Sequence, residues 1–172
     1  EGEPVSMPSR RAEAFATCEQ EGYVWVCSTA GTEPTHRPKP FPHHGEAGYT
    51  SLRRTYQVKA SLLMALENTL DVPHTAFLHG GLFRTAKKKN TVEVVVRRFQ
   101  DRAEAEFIGE PRPEGLVGKL LAPQGGVVQH VDSFFLPSTA QVEYRLGESY
   151  LCTTSVMTPI ENFLTRVDAV IT

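Results

Sequence analysis

Apolar positions change their period along the chain. Over residues 58–70, VKASLLMALENTL, the side chains of Val58, Leu62, Ala65, Leu66 and Thr69 fall near one stripe at helical spacing. Ala, Leu, Met and Glu are good helix formers, so a helix is predicted over 58–70. Pro73 lacks an N–H and disfavours helical geometry at Val72, so the helix ends or deforms there. Beyond Gly80-Gly81 the period drops to two. Residues 91–99, TVEVVVRRF, and 103–108, AEAEFI, alternate on either side of QDR and predict a hairpin. Further strands are predicted over 126–136, 139–146, 150–158 and 163–171, with turns at GES and PIEN. Upstream, GYVWVCS at 22–28 reads as a short buried strand with Trp25 in a core, and 51–57, SLRRTYQ, is ambiguous. One helix followed by six antiparallel strands predicts an α+β fold, a curved meander covering the helix.

Residues 30–50 break this patterning. Four prolines and three histidines mark a linker, and His43-His44 read as part of a surface loop rather than a metal site. Composition then narrows the function classes. The chain has 172 residues, 40% of them hydrophobic and 22% charged, which suits one globular domain. A net charge of -2 gives no global basic field for nucleic acid. No run approaches the roughly 18 apolar residues of a membrane span, and EGEPVSMPSR has no signal-peptide pattern. Cys18, Cys27 and Cys152 are odd in number, widely spaced and outside any CxxC, so they read as buried thiols in a reducing compartment. A cytoplasmic location is the expectation. The turn-like EGEPV start and the strand-like TRVDAVIT end read as the edges of a piece of a longer chain.

Chemistry concentrates in 67–79, ENTLDVPHTAFLH, with the pattern Asn68-x2-Asp71-x2-His74-x4-His79. Neutral imidazole suits divalent iron, copper or zinc, and two histidines with one carboxylate leave ferrous iron open positions for oxygen or substrate. At about 100° per residue, Asn68, Asp71 and His74 share a helical stripe, whereas His74 and His79 lie roughly 140° apart on the wheel. The two imidazoles meet only if the helix breaks, and Pro73 with Gly80-Gly81 sits where a break is helped. The blander alternatives stay open: His74 as a capping or core residue, His79 on the surface, and Asp71 as an N-cap before Val72-Pro73.

ENTLDVPHTAFLHGGLFR resembles the mononuclear-iron motif of Rieske-type non-haem iron oxygenases, the ring-hydroxylating oxygenase α-subunits and their demethylase and monooxygenase relatives. Two further stretches add to it: GYVWVCST resembles the strand leaving the Rieske domain, and VMTPIENFLTRVDAV a late strand of the catalytic domain. The resemblance implies a helix-grip fold (Bet v1/START-like), here lacking its C-terminal helix. It divides the chain into the tail of a Rieske-type domain at 1–29, the linker at 30–50, and a truncated catalytic domain at 51–172. It makes His74 and His79 ligands of Fe(II). Asp71 would bridge toward the [2Fe-2S] cluster of a neighbouring subunit in a homotrimer. Asn68 would orient a ligand or water near the iron, and Phe77, Leu82 and Phe83 would line the pocket. The implied reaction is O2-dependent hydroxylation or dealkylation of an aromatic or other hydrophobic substrate. Electrons would come from a ferredoxin or reductase.

Departures from the family pattern bear on the reading. The cluster-binding CxH and CxxH are absent from this sequence, and the third iron ligand, an aspartate well beyond the histidines, is expected outside it. Asp132, Asp168 and His130 are weaker substitutes; His130 reads instead as a hydrogen-bonded strand histidine. The Arg84 and Lys87-Lys88-Lys89 run reads as a solvated turn, with docking of an acidic electron carrier as its functional alternative. No phosphate-binding loop, GxSxG elbow or HExxH motif is present, which disfavours nucleotide, serine-hydrolase and metallohydrolase chemistry. The competing reading is a non-catalytic helix-grip module that holds an apolar ligand.

Overall fold

A computed structural model describes residues 12–71, 91–110 and 126–172. The chain divides into two units, 1–41 and 42–172. In the first, β1 (Thr17–Gln20) and β2 (Tyr23–Val26) form a hairpin, with Cys18 opposite Trp25. Glu21 and Gly22 turn it at positive φ. Trp25 and Tyr23 pack against the buried Phe41, whose N–H donates to the Glu21 carboxylate. The buried strand expected at 22–28 is thus half-buried: Tyr23, Trp25 and Cys27 alternate with the exposed Val24 and Val26. Of the three cysteines, all free, only Cys152 is buried.

The second unit is a seven-stranded antiparallel sheet with one helix among the described residues. β3 (Leu52–Val58) leads into α1 (Leu62–Leu70). The meander follows as β4 (Glu93–Arg98), β5 (Arg102–Ile108), β6 (Val128–Phe135), β7 (Thr139–Leu146), β8 (Ser149–Glu161) and β9 (Leu164–Ile171). The sheet order is β3-β9-β8-β7-β6-β5-β4. The ambiguous segment 51–57 is therefore a strand, and it closes the meander by pairing with the last one, Val58 opposite Thr165.

The helix begins four residues later than its apolar stripe predicts. Val58 belongs to β3, and Ser61 caps α1 by accepting the Met64 N–H at 3.3 Å. The Thr165 hydroxyl donates to the Ala60 carbonyl at 2.9 Å and pins this junction to β9. β8 runs straight through the turn expected at PIEN and ends at Glu161 with an irregularity after Pro159. β7 pairs with β8 only as far as Val156, so the missing N–H of Pro159 breaks no ladder bond on that side.

Ala65 and Leu66 of α1 pack on Ala140, Met157 and Val167 of the sheet, with Val58, Leu62, Leu70 and Phe134 around them. Burying each larger apolar side chain contributes about 1.5–3 kcal/mol. The predicted α+β meander over a helix is the observed arrangement. No helix among the described residues is long and apolar enough to cross a membrane.

Candidate active site

A cavity of about 970 Å³ runs along α1. The helix supplies Leu63, Met64, Asn68, Leu70 and Asp71, and the strands supply Val58, Phe134 and Val167. Leu63 and Met64 are exposed, and the buried Ala65 and Leu66 line the same cavity together with Glu67. Polar groups gather at the end of α1. Asn68 lies in the last turn, and Asp71 is the C-cap, with φ -82° and ψ 81°. Thr69 donates its hydroxyl to the Ala65 carbonyl at 2.9 Å, which holds that turn together.

Asn68 and Asp71, predicted to share a stripe, thus line one cavity. Asp71 ends α1; residues 72–90 lie outside the described residues, and with them His74, His79, Phe77, Leu82, Phe83 and the Lys87-Lys88-Lys89 run. Among the described residues there is no cluster of three or more His, Cys, Asp or Glu suited to a metal ion. The downstream substitutes are engaged elsewhere. The Asp168 carboxylate accepts from the Thr55 hydroxyl at 2.7 Å and from the Arg166 guanidinium at 2.8 Å. Asp132 and His130 pair with each other at 2.8 Å, so His130 is the hydrogen-bonded strand histidine expected. His43 pairs with Glu46 and stacks on Tyr49, and His44 pairs with Arg53, as suits a structured surface loop.

The sequence reading missed the sheet wall of the cavity. Phe134 alternates with Phe135 on β6, and that period-two pattern marks it as facing α1 or the opposite side without deciding which. It also missed Glu110. The Nδ1 of His130 lies 2.7 Å from the Glu110 carboxylate, and both groups are buried. Gly109, at φ 81°, lets the chain turn directly after β5 and bring Glu110 back onto β6. Rings on the flanking strands sandwich the imidazole: Phe107 at 4.5 Å and Tyr144 at 3.9 Å between centroids. Burial pulls the His130 pKa down, but the hydrogen bonds to Asp132 and Glu110 outweigh it, and the net shift is upward.

Side chains with oxygen donors collect at the end of α1. A carboxylate and a carboxamide stand at the rim of an apolar cavity, immediately before the segment that carries the two histidines.

Comparison with known proteins gives the family and the fold. Residues 58–170 match the family described as the vanillate O-demethylase oxygenase C-terminal domain. No curated protein matches the sequence. Among solved structures, dicamba monooxygenase bound to dicamba superposes with a TM-score of 0.75 at 14% identity, over 91% of this chain and 48% of that one. NdmB of Pseudomonas putida CBB5 gives 0.69 at 17% identity, over 91% and 43%. NdmA of the same organism, with caffeine, gives 0.66 at 18%, over 91% and 44%. At these identities the likeness is one of fold, and the chain spans less than half the length of each of these structures. The family match covers more than half of the chain, and the chain belongs to the vanillate O-demethylase oxygenase C-terminal domain family, within the Rieske non-haem iron oxygenases.

Proposed function

We propose that the chain is the mononuclear-iron part of an oxygenase that hydroxylates, or removes an alkyl group from, an aromatic or other hydrophobic substrate. The observation that carries this is the apolar cavity along α1, with Asn68 and Asp71 at the end from which the His74 and His79 segment departs. The solved relatives include structures described with non-haem iron and dicamba, and with caffeine, both compact ring compounds.

In this reading His74 and His79 hold ferrous iron with a carboxylate from outside the chain, and the metal supplies the activation of O2. The rest falls to the protein. Leu63, Met64, Phe134 and Val167 take the substrate ring by apolar contact. The Asn68 carboxamide orients a water or ligand by hydrogen bonding. Asp71, an ionisable group at the cavity rim, carries the link toward the Rieske-cluster histidine of a neighbouring subunit in a homotrimer. A ferredoxin or reductase feeds that [2Fe-2S] cluster. The proposed fold is a helix-grip sheet lacking its C-terminal helix, with residues 1–29 as the tail of the Rieske-type domain and 30–50 as the linker.

Metal analysis of the full-length protein tests the reading. Stoichiometric iron, lost in His74→Ala, is the expected result. Full-length protein without iron that still binds an apolar aromatic would overturn it in favour of a non-catalytic binding module.

A further inference from the structure

The buried Glu110–His130–Asp132 cluster has no part in the iron chemistry, yet it lies on the cavity's side of the sheet. Side chains two apart on a strand share a face, so His130, Asp132 and Phe134 of β6 point the same way. Phe134 lines the cavity and packs against the α1 core. Asp132 therefore stands next to the cavity wall, about 6.6 Å along the strand from Phe134. Glu110 reaches the same histidine from the end of β5, so the cluster ties two strands together beside that wall.

With both carboxylates ionised, the contacts call for a charged ring. Nδ1 lies 2.7 Å from Glu110 and Nε2 lies 2.8 Å from Asp132. A neutral imidazole has one N–H donor and one acceptor, and an ionised carboxylate only accepts. Both contacts are satisfied together when both ring nitrogens are protonated. We infer that His130 is a positioning residue: an imidazolium clamped between Glu110 and Asp132, which ties β6 to the end of β5 and so holds Phe134, the β6 residue of the cavity wall, in the place the substrate packs against. The second half of this rests on the proposed function of the cavity; the charge state does not.

Among the described residues, the groups facing the ring come from three strands. They are Glu110 just after β5, Asp132 on β6 and the phenol of Tyr144 on β7; Phe107 of β5 covers the other ring face and does not titrate. Loss of one ring proton leaves a carboxylate facing a nitrogen lone pair in a buried site, so the clamp opens as the pH rises. The wall loosens without any change at Asn68 or Asp71.

Two measurements on the full-length protein test this. The first is a pH titration by NMR with 15N-labelled histidine, the His130 signals assigned through His130→Gln. Both ring nitrogens are expected to carry protons at pH 6, with a midpoint above the ordinary value of about 6.5. Glu110→Gln is expected to lower that midpoint. A midpoint at or below the ordinary value would overturn the charge assignment. The second is the affinity for 1,2-dimethoxybenzene by calorimetry across the same pH range. The Kd is expected to rise about fivefold through the His130 midpoint, the equivalent of one hydrogen bond. A Kd that stays flat while the ring titrates would overturn the positioning role. Neither readout needs iron or turnover, so a failure of the oxygenase reading appears separately, in the metal analysis.

Discussion

One face of the sheet carries two neighbouring clusters built on opposite principles. Under α1, Met157, Val167 and Ala140 meet Leu66 and Ala65 in a wholly apolar contact. Further along, His130 and Asp132 of β6 and Glu110 just after β5 are also buried but ionic, with the His130 ring between Phe107 and Tyr144. The apolar cluster gains from each group separately, because hydrophobic burial is non-directional and roughly additive in area. The ionic cluster is a unit. Each member is tolerated in the interior because the others hydrogen-bond it, so its net contribution is small while the cost of breaking it is large. The cavity lies against the apolar cluster, where the shape adapts. The ionic one sits beside it, where the geometry is fixed by donors and acceptors.

His130→Ala sharpens this contrast most. It leaves two buried carboxylates without their shared cation and is expected to cost about 3–5 kcal/mol, read by denaturant unfolding. Wild-type pH dependence carries a definite sign. The His130 pKa is raised in the folded state, so the stability it contributes is complete below the ordinary imidazole range and is lost as the pH climbs through the folded value. His130→Ala is expected to abolish that alkaline decline. A decline of the same size in the variant would mean that another group carries it.

The two clusters were not equally legible in the sequence. The apolar one was written in periodicity on its helical side: Leu62, Ala65 and Leu66 at helical spacing. Its start was misplaced because Val58 satisfies the helical stripe and the strand alternation alike, and only the Ser61 cap decides between them. Asn68 and Asp71 were placed from their spacing, and a local spacing carries directly into a helix. The ionic cluster depends on Glu110 meeting a histidine 20 residues away through a glycine turn. No periodic signal encodes a contact of that kind. His130 and Asp132, two apart on a strand, were visible as a pair, but their shared acidic partner was not. The cavity wall at Phe134 was hidden for a related reason, since alternation says which residues share a face and not which face looks at the helix.

Leu66→Ala probes the other side of the comparison. Leu66 is buried between α1 and the sheet, and its truncation is expected to cost about 2–4 kcal/mol in transfer and cavity terms. Unlike His130→Ala, the loss should be independent of pH from 6 to 9. A pH-dependent cost would show that the apolar and ionic clusters are coupled through β6 rather than independent neighbours.

The smallest expected effect is at the helix start, away from both clusters. Ser61→Ala removes the acceptor of the Met64 N–H and is expected to cost about 1 kcal/mol. Ser61→Gly, which keeps the backbone conformation accessible without the side chain, is expected to cost only a few tenths. A thermal melt of the pair separates local fraying from global loss. If α1 is held mainly by Leu66 and Ala65 on the sheet, both variants keep the cavity and its affinity for an aromatic ligand. If the cap instead sets the position of the helix, Ser61→Ala shifts Leu63 and Met64 on the cavity face and weakens that affinity along with stability. The first outcome is expected, because the Thr165 hydroxyl still ties the Ala60 carbonyl to β9 when the cap is gone.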